Sequence, residues 1–494
     1  MRTTGAPSWP HARLSLRAAA LVATAMLAAA ATGLAGAAPV SAATPQQADM
    51  AEMMLSYHSS TGLIGTSWWQ AAASLSTVET YQQATGDTSY SYAITNAFSD
   101  NKSKNFEDSY MDDTAWWALA WLQAYHITGS AQYLQMAETD ANYIHQYWDG
   151  TCGGGVWWST AKTYKNAIAN ELFLELTAWL HNSIPGDTTY LDWANAEWSW
   201  FENSGMINSS NLINDGLSIN STTGQCTNNG GTTWTYNQGV ILAGLAQLYQ
   251  ATGSASLLTE AETIANAAIP DLSSGGVLRE PCEPSSCDTD QQSFKGIFVR
   301  GLKMLASAGG TTRYASFFEN QARSIEAKDT NSHNQLGLEW AGPISDISPN
   351  TQASAEDAVV ASLGLGSSGT IFAGVSSSLC LDDKGSGTTA GNPIQIYGCN
   401  STEAQSWSVG SGSTLQVMDG CATVTGGGTS SGTKIEWEAC DGSGAQVWQP
   451  QSDGALLNPQ SGKCLDDPDS TTTPGTQVQI YTCNGTSAQH WTIP

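Results

Sequence analysis

Tyr110-Met111-Asp112-Asp113-Thr114-Ala115-Trp116-Trp117-Ala118-Leu119-Ala120-Trp121-Leu122-Gln123-Ala124-Tyr125-His126-Ile127-Thr128-Gly129-Ser130-Ala131-Gln132-Tyr133 reads as one helix, a tight link and the start of another. The apolar, aromatic run 114–128 stops at Gly129, which suits a left-handed C′ position, and Ser130 suits the N-cap of the next helix. The same link, Gly followed by Ser, Asp or Thr and then by Tyr or Leu four residues on, recurs. It stands at Gly86/Tyr90, Gly129/Tyr133, Gly186/Tyr190, Gly253/Leu257 and Gly310/Tyr314. Apolar segments such as 236–252 and 292–307 precede the links, and more amphipathic ones follow. Five links make ten helices, and segments 46–57 and 353–363 supply a sixth pair. Residues 43–365 are therefore expected to close an (α/α)6 barrel of alternating inner and outer helices. Long loops after the outer helices, such as 204–235, then crowd one end and build a cleft.

The last quarter has another period. Gln405-Ser406-Trp407, Gln446-Val447-Trp448 and Gln489-His490-Trp491 close units of about 42 residues. Each unit holds a cysteine pair 19 apart: Cys380/Cys399, Cys421/Cys440 and Cys464/Cys483. Alternating runs such as Pro393-Ile394-Gln395-Ile396-Tyr397 and Gln477-Val478-Gln479-Ile480-Tyr481 read as short strands. Such a unit cannot bury its apolar face alone, but three can share a core around a pseudo-threefold axis. The chain is thus multidomain, an all-α barrel followed after a short linker (366–369) by an all-β domain at 370–494. Closing a loop of this size by a disulfide contributes roughly 3 kcal/mol on the chain-entropy model. Cys282 and Cys287 are near enough to clip one loop, which would leave Cys152 and Cys226 to each other; sequence alone leaves these four open.

Composition narrows the function. The 494 residues carry 17 Lys+Arg against 44 Asp+Glu, a formal charge of −27. Residues 1–17 hold three arginines and no acid. An uncharged Ala-rich run (18–38) follows, and Val40-Ser41-Ala42 offers the small residues a signal peptidase needs. Residues 1–42 are read as a secretory signal peptide whose removal takes the charge to −30 and leaves no membrane segment. So acidic a body repels phosphate backbones, which excludes nucleic acid as a partner. Ten cysteines fit an oxidising, extracellular destination. No metal-ligand spacing such as CxxC or HExxH occurs, so no metal site and no cofactor is expected. With charged residues at 12% and 19 tryptophans, the surface suits neutral sugars, and a monomer is expected.

Asp112 and Asp113 carry the chemistry. One acid would serve as helix cap or dipole partner; a second beside it, next to Trp116 and Trp117, adds like-charge repulsion. Adjacent carboxylates hold each other's pKa values apart, as glycosidic cleavage requires. Retaining hydrolysis needs carboxyl groups about 5–5.5 Å apart and inverting hydrolysis about 6.5–9.5 Å. Neighbours whose Cα atoms lie about 3.8 Å apart reach the shorter figure more easily, which favours retention.

Two resemblances add to this reading. Residues 370–494 resemble the ricin-type β-trefoil lectins through their three QxW units and equal Cys loops. That resemblance implies sugar sites in the first unit (Asp382, Gln395, Tyr397, Gln405) and the third (Asp466, Gln479, Tyr481, Gln489). The middle unit has Thr423 for the Asp and Glu438 at the aromatic position, and its site is expected to be dead. The YMDDTAWWALAW segment resembles the signature of glycoside hydrolase family 76, the endo-α-1,6-mannanases. The likeness includes Gly153-Gly154-Gly155-Val156-Trp157-Trp158, Lys165-Asn166, Asn170-Glu171-Leu172, Asn214-Asp215-Gly216, Thr235-Tyr236-Asn237-Gln238-Gly239 and Lys295-Gly296. It implies Asp112 as nucleophile and Asp113 as general acid/base. It also implies Asp215 as a holder of sugar hydroxyls, with Trp116, Trp157, Tyr236, Asn237 and Gln238 lining the cleft. Against these stand an ordinary Asp-Gly turn for Asp215 and core packing for the aromatics; Lys165, Lys295 and Arg300 read equally as partners of buried acids.

The expectation is therefore a secreted, retaining endo-α-1,6-mannanase acting on a neutral polysaccharide, α-mannan, to which the trefoil tethers it. A transglycosylase would share the Asp pair and the glycosyl-enzyme. A lectin with a dead barrel is opposed by the intact pair. An inverting glucan or glucuronide enzyme would need its carboxylates on separate loops and, for acidic sugars, more arginines.

Overall fold

The computed structural model describes residues 44–493 apart from 284, 364–367, 401, 411, 412 and 452. The segment 1–42 expected to be a signal peptide and the expected linker residues 366 and 367 lie outside the described residues. The helices are α1 (Pro45–Met53), α2 (Trp68–Thr85), α3 (Tyr92–Asn101), α4 (Met111–Thr128), α5 (Ala131–His145) and α6 (Ala167–Ser183). They continue as α7 (Thr189–Asn203), α8 (Thr235–Thr252), α9 (Ala255–Asp271), α10 (Phe294–Gly309), α11 (Ala315–Lys328) and α12 (Pro349–Ala361).

The even-numbered helices pack each on the next, and α12 returns to α2, closing an inner ring; α1 lies against α12 as its outer partner. Burial follows that division. Every residue from Thr114 to Leu122 on α4 is buried, as is every residue from Ala167 to Ala178 on α6. The outer helix α9 buries only Leu257, Ala261, Ile264, Ala265 and Ala268, one stripe at helical spacing. This is the expected (α/α)6 barrel.

Four link glycines, Gly86, Gly129, Gly253 and Gly310, cap their helices in the left-handed region, with φ from 62° to 74°. The caps that follow differ from expectation. Ser130 and Ser254 occupy the N-cap position but make no side-chain cap bond. At the third link α6 already ends at Ser183, and Asp187 stands one residue before the N-cap Thr188. There it accepts from the backbone N–H groups of Thr189, Tyr190 and Leu191 at 3.0–3.3 Å. A longer acid reaches orphan donors that a serine at the N-cap leaves to water.

The links gather at the C-terminal ends of the inner helices. The longer connections, 54–67, 102–110, 146–166, 204–234, 272–293 and 329–348, gather at their N-terminal ends. Cys152 pairs with Cys226, joining the 146–166 and 204–234 loops, and Cys282 pairs with Cys287 within the 272–293 loop. On the link side a cavity of about 660 Å³ enters the barrel axis and reaches as deep as Trp116, Glu175 and Arg300.

The C-terminal part is a threefold repeat around one core. Asp382, Thr423 and Asp466 stand directly across a strand pair from Gln395, Glu436 and Gln479. The QxW tryptophans are buried, and each indole N–H donates to an equivalent carbonyl: Trp407 to Leu381, Trp448 to Ala422 and Trp491 to Leu465.

The three equal cysteine loops close as disulfides, Cys380–Cys399, Cys421–Cys440 and Cys464–Cys483. The two halves of each bridge differ in a way that equal spacing does not reveal. Cys380, Cys421 and Cys464 lie within strands and are buried, whereas Cys399, Cys440 and Cys483 are exposed. Each of the exposed three stands just past the end of a strand (Asn392–Gly398, Ile435–Ala439 and Gln479–Tyr481), where the chain turns out to solvent. The bridges therefore pin the rim of each repeat to its core and are not themselves core packing.

This β-trefoil docks beside the Gly310 link. Asp419, at the hairpin turn of the middle repeat, accepts from the Thr311 hydroxyl and the Thr312 N–H and pairs with Arg313, which also holds Glu262 of α9.

Candidate active site

Asp112 and Asp113 open α4 at the end where the long loops meet. Both are half-buried. Burial pushes the Asp112 carboxyl up to about 7, against the pull of the Trp158 indole, which donates to Oδ2 at 3.0 Å. Its Oδ1 is buried without a partner. Burial pushes Asp113 further, to about 8, helped by the charges of Asp112, Asp108 and Asp290. Asp112 is thus the easier of the two to ionise, and Asp113 the one that keeps its proton.

The loop that presents Trp158 is built from the glycine-rich segment. Lys165 is fully buried, and its ammonium group collects the carbonyls of Asp149, Thr151, Gly154 and Gly155 together with the Asp149 carboxylate. Its role is to fold a loop as much as to neutralise an acid. Asn170 accepts the Val156 N–H and donates to the Val156 and Asn166 carbonyls. A Cβ on Gly155 would fall 2.4 Å from the Trp200 ring, so only glycine fits there. Trp158 is then fixed by its backbone: its carbonyl accepts from Met111 and its N–H donates to Tyr164. Lys295 pairs with buried Glu283 and Arg300 with Asp357, as partners of buried acids.

Other expected residues divide. Asp215 is more than a turn residue: it accepts from the Tyr164 hydroxyl, which Asn229 also contacts, and its carbonyl accepts the N–H of Ala167 at the start of α6. Tyr236 stacks on Phe294 at 3.7 Å and feels the charges of Asp215, Asp112, Glu171 and Asp290. Trp116 lies one turn below Asp112 on the same helix face. It stacks on Trp69 and is only 7% exposed, so it underlies the cleft instead of lining it. Trp157 is turned inward, its N–H on Asp149 and its ring over Lys165; successive residues of an extended segment point to opposite sides, and it is Trp158 that faces the pair. Gln238 is also a correction. It is fully buried and spends its amide on both backbone groups of Ile213 and on the Trp234 carbonyl, stapling the 204–234 loop to α8. Asn237 is fully buried with neither amide atom partnered.

Three site residues lie beyond the sequence expectations. Trp158 stands in a motif without a role of its own, Trp69 belongs to none, and Asp290 sits in a polar stretch that reads as an ordinary loop. Asp290 accepts from the Trp69 indole at 3.1 Å and from the Gln70 amide. Trp116, Trp69, Phe294 and Tyr236 form a chain of ring contacts across the barrel mouth, with Asp112 and Asp113 at one side. Among the described residues, no three His, Cys, Asp or Glu side chains are arranged to hold a metal ion.

In the trefoil, Asp382 accepts from Gln395 and Gln405, and Asp466 from Gln479 and Gln489. Tyr397 and Tyr481 stand out at 44% exposure each. In the middle unit Gln446 meets the Thr423 hydroxyl instead.

The family model described as Glycosyl hydrolase family 76 matches residues 40–370, and that of the Ricin-type beta-trefoil lectin domain matches residues 367–491. The chain is 34% identical over 217 residues to the mannan endo-1,6-alpha-mannosidase DCW1 of Saccharomyces cerevisiae, covering 41% of this chain and 47% of that protein. To the mannan endo-1,6-alpha-mannosidase DFG5 of Candida albicans it is 30% identical over 230 residues, 43% of this chain and 49% of that one. It thus spans about half the length of these curated relatives. The GH76A alpha-1,6-mannanase of Salegentibacter sp. HEL1_6 superposes with a TM-score of 0.59 at 24% identity, over 64% of this chain and 98% of the other. Dfg5 of Chaetomium thermophilum gives 0.58 at 22%, over 65% and 88%. Both share the fold.

Proposed function

Because the chain belongs to glycosyl hydrolase family 76, we propose that it is an exported endo-α-1,6-mannanase that cleaves by a retaining, two-step route. The observation that carries this reading is the unequal Asp pair at the mouth of α4. The Asp112 carboxylate, favoured in its charged form by the Trp158 N–H, attacks the anomeric carbon. Asp113, held protonated by burial and like charges, protonates the departing glycosidic oxygen. A mannosyl ester on Asp112 results. Asp113, now a base, takes a proton from water as that water attacks the same carbon, and Asp112 leaves. The net configuration is retained, as adjacent carboxyl groups favour.

The aromatic floor supports an uncharged ring as substrate, and the acidic surface carries no penalty against neutral mannan. Asp215, fixed by Tyr164, is suited to take sugar hydroxyls. The trefoil, with Asp382/Tyr397 and Asp466/Tyr481 as sugar sites, raises the local substrate concentration without adding catalytic contacts. The middle site contributes nothing.

Product analysis on unbranched α-1,6-mannan tests the reading. Wild type releases short manno-oligosaccharides with retained anomeric configuration, while Asp112→Asn and Asp113→Asn each lose at least about 10²–10⁴-fold in rate. Inverted products, or a variant with wild-type turnover, would overturn the mechanism. Adding a mannosyl acceptor in the same assay distinguishes hydrolysis from transfer.

A further inference from the structure

We propose that Asp290 is a third carboxylate of the active site, which binds a hydroxyl of the sugar at the cleavage point from across the cleft. The inference rests on the mannanase reading above. In the ring of six inner helices α10 stands opposite α4, and Asp290, at the turn leading into α10, lies near enough to the Asp pair for its charge to act on both carboxyl groups. The carboxyl group is held there by another helix. Its Oδ1 accepts from Trp69 and from Gln70, both in the first turn of α2. Its Oδ2 has no partner among the described residues, and Asp290 itself is exposed.

An ordinary helix-capping role does not account for this. Asp290 makes no side-chain cap bond. Asp288 does that work, its Oδ1 accepting the N–H groups of Asp290 and Gln291. A spare carboxylate is thus oriented by two donors, with its second oxygen free, beside the ring contacts of Trp69 with Trp116 and Phe294. An ionised oxygen fixed beside an aromatic platform suits a neutral sugar: the platform takes a ring face and the oxygen accepts a hydroxyl proton.

The surroundings also give Asp290 an electrostatic reach. Its charge acts on Asp112 and Asp113 of α4 and on Tyr236 of α8, while Asp288 and burial act on Asp290. Asp108, before α4, bears on Asp113 as well. Each of these charges is negative, so removing one makes the others easier to ionise.

The experiment is Asp290→Asn, which keeps the shape and the acceptor for Trp69. Expected are a fall in kcat/KM on α-1,6-mannan of about 10–100-fold, as for a lost charge-assisted hydrogen bond, and a basic limb of the pH profile moved to lower pH. The thermal midpoint should stay with wild type. A kcat/KM within twofold of wild type overturns the proposal, as does a loss that follows a lowered midpoint with the pH limb unmoved. A wild type that leaves α-1,6-mannan intact sinks the mannanase reading and this proposal together. An active wild type with an unaltered Asp290→Asn sinks this proposal alone.

Discussion

The difference between Asp112 and Asp113 rests on one indole, which favours the charged form of Asp112, and on the like charges around Asp113. Both carboxyl groups are raised by burial, but only Asp112 receives a side-chain hydrogen bond, from Trp158. Trp158→Phe keeps the ring and removes the donor. Losing a hydrogen bond to the charged form raises the pKa, so the acid limb of the kcat/KM profile should move to higher pH. The rate at neutral pH should fall about tenfold, as expected for a net bond of 1–2 kcal/mol; a limb that stays in place would refute the role. The pair itself was legible, because two acids at the mouth of an aromatic helix exceed what capping requires. Trp158 and Asp290 were not, since each is carried to the pair by the folding of a distant loop. Gln238 misled for a related reason: a polar residue in the first turn of an inner helix can face the cleft or a neighbouring loop, and helical period does not say which.

At the scale of elements, the link glycines and apolar runs were enough to count and order the helices, because each signal is local. What the runs could not give is how near the helices approach. A Cβ on Gly301 would lie 1.9 Å from the Gly239 carbonyl oxygen, and one on Gly239 would lie 2.3 Å from the Cα of Phe298. The α8–α10 seam is therefore backbone against backbone, and it brings Tyr236 onto Phe294. Gly301→Ala should push the helices apart and lower stability by about 1–3 kcal/mol or more. Tyr236 should move with α8, so kcat/KM should drop as well. Denaturant unfolding with kinetics at a permissive temperature checks both, and wild-type stability would show that the seam can yield. The Cys152–Cys226 bridge works on the cleft side, fastening the Trp158 loop to the loop that follows α7. In the trefoil, the 19-residue spacing foretold the pairing but not that Cys399, Cys440 and Cys483 would face solvent, because spacing carries no information on which strand end meets the surface.

For the whole molecule, the Asp419 clamp sets the trefoil at the barrel end away from the Asp pair, at least one inner helix distant. Eighteen residues of α4 make about 27 Å, so roughly that length of barrel separates the Asp pair from the end on which the trefoil sits. The barrel also stores buried acids, four of which (Glu79, Asp140, Glu171 and Glu356) have neither oxygen partnered among the described residues. Glu79, Asp140, Glu171 and Glu356 are fully buried and raised well above the usual range, while Glu175, Glu197 and Glu280 are raised to about 8. These groups keep protons in the folded state that the unfolded chain releases above about pH 4. Native protein then binds more protons than unfolded protein between about pH 4 and 8, and stability must fall as pH rises across that window. Asp149 is displaced the other way, below the usual range, so its contribution is lost only in stronger acid. The net charge of −27 adds self-repulsion in the same direction as the buried acids. The thermal midpoint should accordingly be several degrees higher at about pH 5 than at about pH 8. Scanning calorimetry at the two values decides it: a flat or rising midpoint would mean that the buried carboxyls find partners when ionised.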